Sequence, residues 1–182
     1  MMRLPAFLCC ALLFSAALAL AQPKRVESLK DDSWVAYKLV HPLHEVEAKS
    51  KDVMFLFEID EAAKTIEHVT ARVDVTTFDS GNSNRDSHAM EVIEALTYPE
   101  ASFTSTSVQQ SGDSVHVTGN LTFHGVTRSI NVNGVARWSP GRLDVDGSFT
   151  ISMTEFKIER PTLLMIPVED GLTFTLKTAC AL

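Results

Sequence analysis

Six histidines, a pair of aspartates two apart and a lone distal cysteine are the side chains of this 182-residue chain best suited to chemistry. His41 and His44 flank Pro42, His68 and His116 fall on the polar faces of alternating segments, and His88 and His124 sit by turns. Neutral imidazole is a good metal ligand and a general acid or base near neutral pH. The spacing nevertheless collects no compact set of three ligands. Asp144 and Asp146 share one face opposite Leu143 and Val145, the usual pattern of solvated acids. No G-x-S-x-G, P-loop, H-E-x-x-H or C-x-x-C motif is present. His41 and His88 are the side chains left for acid–base work on a small apolar or quinone-like substrate, and the sequence gives neither an activating partner. The least ordinary stretch is Arg160 to Val168, RPTLLMIPV, apolar and without alternation. It reads either as a plug for a barrel end, through Leu163, Leu164 and Ile166, or as an apolar lip over a cavity, where Met165 adapts to a ligand's shape.

Address and charge narrow the classes. Arg3, the apolar run Phe7 to Leu20 and the A-x-A pattern Ala19-Leu20-Ala21 form a cleavable secretory leader over residues 1–21. Residues 22–182 then make one domain, long enough to bury a core. Cys9 and Cys10 leave with the leader, so Cys180 has no internal disulfide partner. That pattern suits a bacterial periplasm. The formal charge of −7, with no Lys/Arg run, argues against nucleic acid and anionic head groups as partners. Two routes to a homodimer stay open, an edge strand and Cys180. No membrane span remains once the leader is removed.

The elements that must position these groups are strands. Ser33 to Val40 alternates until His41-Pro42 breaks it. Glu45 to Asp52 reads as a turn or an edge, and Val53 to Ile59 as a strand covered on both faces. From Thr65 to Phe78, Val69, Ala71, Val73 and Val75 face one way and His68, Thr70, Arg72 and Asp74 the other. Asp79 to Ser87 reads as a turn, followed by a short helix over His88 to Thr97. Ala101 to Val108 reads as a polar, Ser/Thr-rich strand, and four further segments alternate, with Val115, Val117, Leu121, Phe123, then Ile130, Val132, then Phe149, Ile151, and finally Phe174 on their apolar faces. About eight strands joined by hairpin-length turns predict an all-β antiparallel barrel with one short helix, its interior sized for side chains or one small ligand.

In order and separation, several of these residues resemble the YceI-like family of bacterial periplasmic proteins. They are the Ser33–His41 strand, Asn84-Arg85-Asp86 with His88 and Met90, Tyr98-Pro99, Phe103, the hairpin GNLTFHGVT at 119–127, and Phe156 to Pro167. The resemblance spans essentially all of residues 22–182. It implies a lipocalin-like barrel whose apolar tunnel holds a polyisoprenoid chain or an isoprenoid quinone, in a binding protein with no cofactor of its own. The wall implied for that ligand is Val69, Val73, Val117, Leu121, Ile130, Val132, Phe149, Ile151 and Phe174. Arg85, Asp86 and His88 would sit at the mouth, and Leu163 and Met165 on the lip. A competing expectation from the same faces is a solid interior filled by Phe123, Phe149, Phe174 and Trp138, in a barrel that binds partners through its outside.

Overall fold

The computed structural model describes residues 23–182; the stretch 1–21, which the sequence reads as a leader, lies outside the described residues. The strands are β1 (Lys24–Glu27), β2 (Trp34–His41), β3 (His44–Ser50), β4 (Val53–Asp60) and β5 (Thr65–Asp74). After the helix α1 (Ser83–Val92) come β6 (Glu100–Ser111), β7 (Ser114–Phe123), β8 (Val126–Ser139), β9 (Arg142–Ser152), β10 (Thr162–Leu163), β11 (Ile166–Pro167) and β12 (Gly171–Ala181). Ten of them form one antiparallel sheet in the order β1-β4-β5-β6-β7-β8-β9-β12-β2-β3, and β10 and β11 pair separately. No helix among the described residues is long and apolar enough to cross a membrane.

Alternation decides how the sheet curls. Along β4, Val53, Phe55, Phe57 and Ile59 are all buried while Met54 faces out. Along β7, Val115, Val117, Leu121 and Phe123 are buried and Ser114, His116 and Asn120 are exposed. A single sheet with one apolar face hides it by rolling up. The roll closes where β1 reaches β12: Ser28 bridges Cys180, and the Leu29 N–H donates to the Ala179 carbonyl at 2.7 Å. Along the rest of the seam β3 is the outer strand. There the Lys49–Asp79 bridge ties it to the segment before α1, and Met90, Val92 and Ile93 pack inward on the core.

Three expectations need correction. The barrel sheet has ten strands where about eight were read. β1 lies in a stretch that reads as a polar lead-in because Val26 is its only buried residue, and of the two readings open for Glu45 to Asp52 the structure takes the edge, as β3. The helix begins at Ser83, inside the stretch read as a turn. Asn82 caps it by accepting from the Arg85 N–H at 3.1 Å, and the residue types that cap helices are the same that make turns. The strand read through Phe78 stops at Asp74, whose side chain accepts from the Thr76 N–H at 2.9 Å and starts a 3-10 turn at Val75–Thr77.

Two hairpin tips contrast. His124 (φ 48°) and Gly125 (φ 67°) make a two-residue turn in which both residues have positive φ, the type that matches strand twist. Leu164 (φ 52°) and Met165 (φ 64°) adopt the same conformation between β10 and β11. Neither residue favours it, at roughly 1–2 kcal/mol each.

Candidate ligand cavity

The rolled sheet does not fill its own interior. A cavity of about 560 Å³ lies inside it, walled by residues of nine barrel strands, all but β1, and by α1. The wall is almost entirely hydrocarbon. Val69, Ala71 and Val73 come from β5, Val117 and Leu121 from β7, Val132 from β8, Phe149 from β9, and Phe174 from β12. Val117 and Val132 are direct partners across β7 and β8. Phe149 stacks on Phe174 with ring centroids 5.0 Å apart, and Phe123 meets Phe174 edge-on at 6.4 Å. Gly134 and Gly147, paired across β8 and β9, also line the cavity. Two side chains are missing at that point of the wall, which helps keep the space open.

His44, Asn84, Arg85, His88, Thr162 and Leu163 both line the cavity and are exposed, so they form its rim. Arg85 is held in place: its Nε donates to Ser80 Oγ at 2.8 Å and its Nη2 to the Ser80 carbonyl at 2.7 Å. Asp86 accepts from the Ser80 N–H at 3.1 Å. His88 stands 3.8 Å from Glu91. One polar handle reaches deeper. Tyr37 lines the cavity, and burial, then the Asp86 carboxylate, push its phenol up from the ordinary value. It therefore stays a neutral hydroxyl, able to give one hydrogen bond inside an apolar space.

Of the residues the sequence assigned to a ligand, Val69, Val73, Arg85, His88, Val117, Leu121, Val132, Phe149, Leu163 and Phe174 border this cavity. Three do not. Ile130 faces inward opposite Gly119, outside the hollow part. Ile151 is fully packed beside Leu172. Met165 is 97% exposed at a hairpin tip. The structure adds lining residues the sequence did not single out, chiefly Tyr37, Phe55, Phe57, Phe78 and Ile93. The solid-interior expectation fails: Phe123, Phe149 and Phe174 line a continuous space instead of filling it, and Trp138 is not on its wall.

The remaining chemistry-bearing groups have partners of their own, including His41, which borders the cavity. His41 Nδ1 accepts from the Leu43 N–H at 3.2 Å, so its Nε2 carries the proton and donates to the Ile166 carbonyl at 3.1 Å. His68 meets Ser105 Oγ at 2.7 Å, and His116 meets Asn133 at 2.8 Å on the outer face. No cluster of three His, Cys, Asp or Glu side chains placed to hold a metal occurs among the described residues. Cys180 is fully buried, and desolvation pushes its thiol up to about 12. That removes it as a link between chains.

The model of the YceI-like domain matches residues 29–179. The chain belongs to the YceI-like family. Protein YceI of Escherichia coli O17:K52:H18 is 27% identical over 158 residues, 82% of this chain and 83% of that protein. Among solved structures, BcnA of Burkholderia cenocepacia matches with a TM-score of 0.75 and 21% identity, over 84% of this chain and 98% of its own. A polyisoprenoid-binding domain from Saccharophagus degradans, implicated in plant cell wall breakdown, matches with a TM-score of 0.61 and 15% identity, over 85% and 97%. Markers distant in sequence meet inside this YceI-like domain. The Tyr98 ring lies 5.1 Å from His124, edge to face, and a Cβ on Gly125 would stand 2.5 Å from that ring. His124 Nδ1 donates to the Phe156 carbonyl at 3.0 Å. The 124–125 turn of the YceI-like domain is thus a fastening between hairpin, helix exit and the Phe156 turn, away from the cavity wall.

Proposed function

We propose that this protein binds a long-chain isoprenoid lipid, a polyisoprenoid or isoprenoid quinone, in the barrel cavity, and carries or sequesters it after export to the periplasm. The observation that carries the reading is a hydrocarbon-walled cavity of about 560 Å³ with a partly charged rim. At roughly 30 Å³ per methylene-sized group, that space seats on the order of twenty carbons, about four isoprene units. Each methylene taken from water contributes roughly 0.8 kcal/mol. Twenty give about 16 kcal/mol gross, before the cost of ordering the chain. Shape and area therefore suffice for affinity, with Tyr37, Arg85 and His88 left to recognise the ligand's polar end. The polyisoprenoid-binding name of the Saccharophagus relative points the same way, and the leader read at residues 1–21 supports the address. The reading is of a binding protein, not an enzyme: His41 spends both ring nitrogens on backbone groups, and His88 stands exposed on the rim.

Organic extraction of the purified protein followed by mass spectrometry tests it. The expected result is an isoprenoid lipid in near-stoichiometric amount, or uptake of a long-chain quinone by emptied protein. A protein that is repeatedly empty and takes up no such quinone would overturn the reading.

A further inference from the structure

Of the eight large hydrophobic side chains left exposed among the described residues, five sit together: Leu43, Leu163, Leu164, Met165 and Ile166. The cluster joins two hairpin tips, held to each other by the hydrogen bond from His41 to the Ile166 carbonyl. It is a mounted platform, not a loose flap. The Val168 N–H donates to the Pro161 carbonyl at 2.9 Å, Arg160 Nε donates to the Val168 carbonyl at 2.8 Å, and the Glu169 N–H donates to the Val40 carbonyl at 2.8 Å. The two most exposed members, Leu164 at 75% and Met165 at 97%, occupy the strained tip. Strain maintained to present apolar side chains to water points to a use outside the fold.

Leu163 supplies the connection. It is 45% exposed and also lines the cavity, so the platform is the outward continuation of the cavity wall. We propose that Leu43, Leu164, Met165 and Ile166 dock on the surface of a net-neutral phospholipid bilayer, so that a lipid can pass between membrane and cavity without crossing water. The proposal rests on the reading of the cavity as a lipid site. A bilayer fits as the occupant because apolar tips of this kind enter the head-group boundary. The flanking exposed acids Glu159 and Glu169, with the chain's charge of −7, select against anionic lipid.

The test is flotation of the full mature protein, stripped of lipid, with phosphatidylcholine vesicles. The variants are Leu164→Asp/Met165→Asp and, as a control, Leu96→Asp, at an exposed apolar residue off the cavity wall. Aspartate tolerates the positive φ at the tip, and these side chains are outside the core, so the fold is kept. A separate measurement follows binding of a detergent-solubilised long-chain quinone. Wild type and Leu96→Asp should float alike, the double variant should lose at least tenfold in vesicle partitioning, and all three should bind the solubilised quinone equally. Adding phosphatidylglycerol should weaken flotation. Wild type that binds quinone but does not float, or a double variant that floats as well as wild type, overturns the docking surface while leaving the cavity reading intact. Flotation without quinone binding overturns the cavity reading instead and upholds the docking surface. A wild-type dimer that the double variant splits would make the platform an interface between two copies, and the proposal would fall.

Discussion

Replacing Val132 with tryptophan tests the cavity as the seat of a chain-like ligand. Val132 is half-buried in the wall, opposite Val117 and beside the gap left by Gly134, so its enlarged side chain has space to enter. Tryptophan brings about seven extra heavy atoms, which in a fused flat ring at interior packing density take about 90 Å³ of the 560 Å³ present. The room of about three methylenes of ligand is lost. At roughly 0.8 kcal/mol apiece, the loss is about 2–3 kcal/mol, close to a factor of 50 in affinity. That is a ceiling, because a shorter buried stretch also needs less ordering. The assay is equilibrium uptake of a long-chain quinone from detergent by emptied protein, wild type against Val132→Trp, with thermal unfolding alongside. Because the ring fills empty space, the midpoint should hold within about 4 °C. Affinity within about threefold of wild type, in a variant that unfolds normally, would refute the argument, since the ligand would then be bound somewhere else.

Other perturbations probe the scaffold. Gly125→Ala combines a positive φ with a Cβ 2.5 Å from the Tyr98 ring, and should cost about 2 kcal/mol or more, at least about 4 °C in midpoint. Gly141→Ala, at φ 73° but with nothing within 4 Å, should cost only the conformational part; equal losses at the two sites would remove the Tyr98 contact from the explanation. Native Cys180 should resist thiol reagents until the protein unfolds, given its burial and raised pKa; fast reaction of one thiol, or a dimer cleaved by reductant, would contradict this. Asp170 is held below the ordinary carboxylate range by the Ser152 hydroxyl first, and by Thr154. A depressed folded pKa contributes stability above the unfolded value of about 4, lost as pH falls through the folded value. Asp170→Asn should therefore be less stable than wild type near pH 7, with the gap closing below about pH 4; a gap independent of pH would show that the charge is not involved.

Much of the wall was legible because a half-buried strand writes its buried face into every second residue. Val69 and Val73, or Val117 and Leu121, follow from that period alone. The period reports a face, not whether the space in front of it is hollow. Ile130 and Ile151 point inward as read, yet meet packed structure, because the emptiness depends on partners brought in by register, such as Gly134 against Gly147. Contributions from strands far apart in the chain were hidden for the same reason. Tyr37 borders the cavity only because β2 lies beside β12, with Tyr37 opposite Phe174. Helix α1 was placed late because Ser83 to Ser87 carries cap chemistry and no apolar stripe; none of its residues is fully buried. At the lip, the sequence showed that residues 160–168 are apolar and broken by proline. The positive φ values that turn Leu164 and Met165 outward have no signature in those residue types.

The Ser28–Cys180 bridge and the Leu29–Ala179 hydrogen bond also impose an order of events. They join β1, the earliest described strand, to β12, the latest. A chain delivered in order from its N-terminal side cannot complete this wall until nearly all of it has emerged. Until then the inward faces of nine barrel strands have no closed interior to occupy, and contacts this distant in sequence form slowly. The interval between emergence and closure is when the chain is most exposed to aggregation, and also when an apolar guest could be enclosed by the wall closing around it instead of entering at the rim.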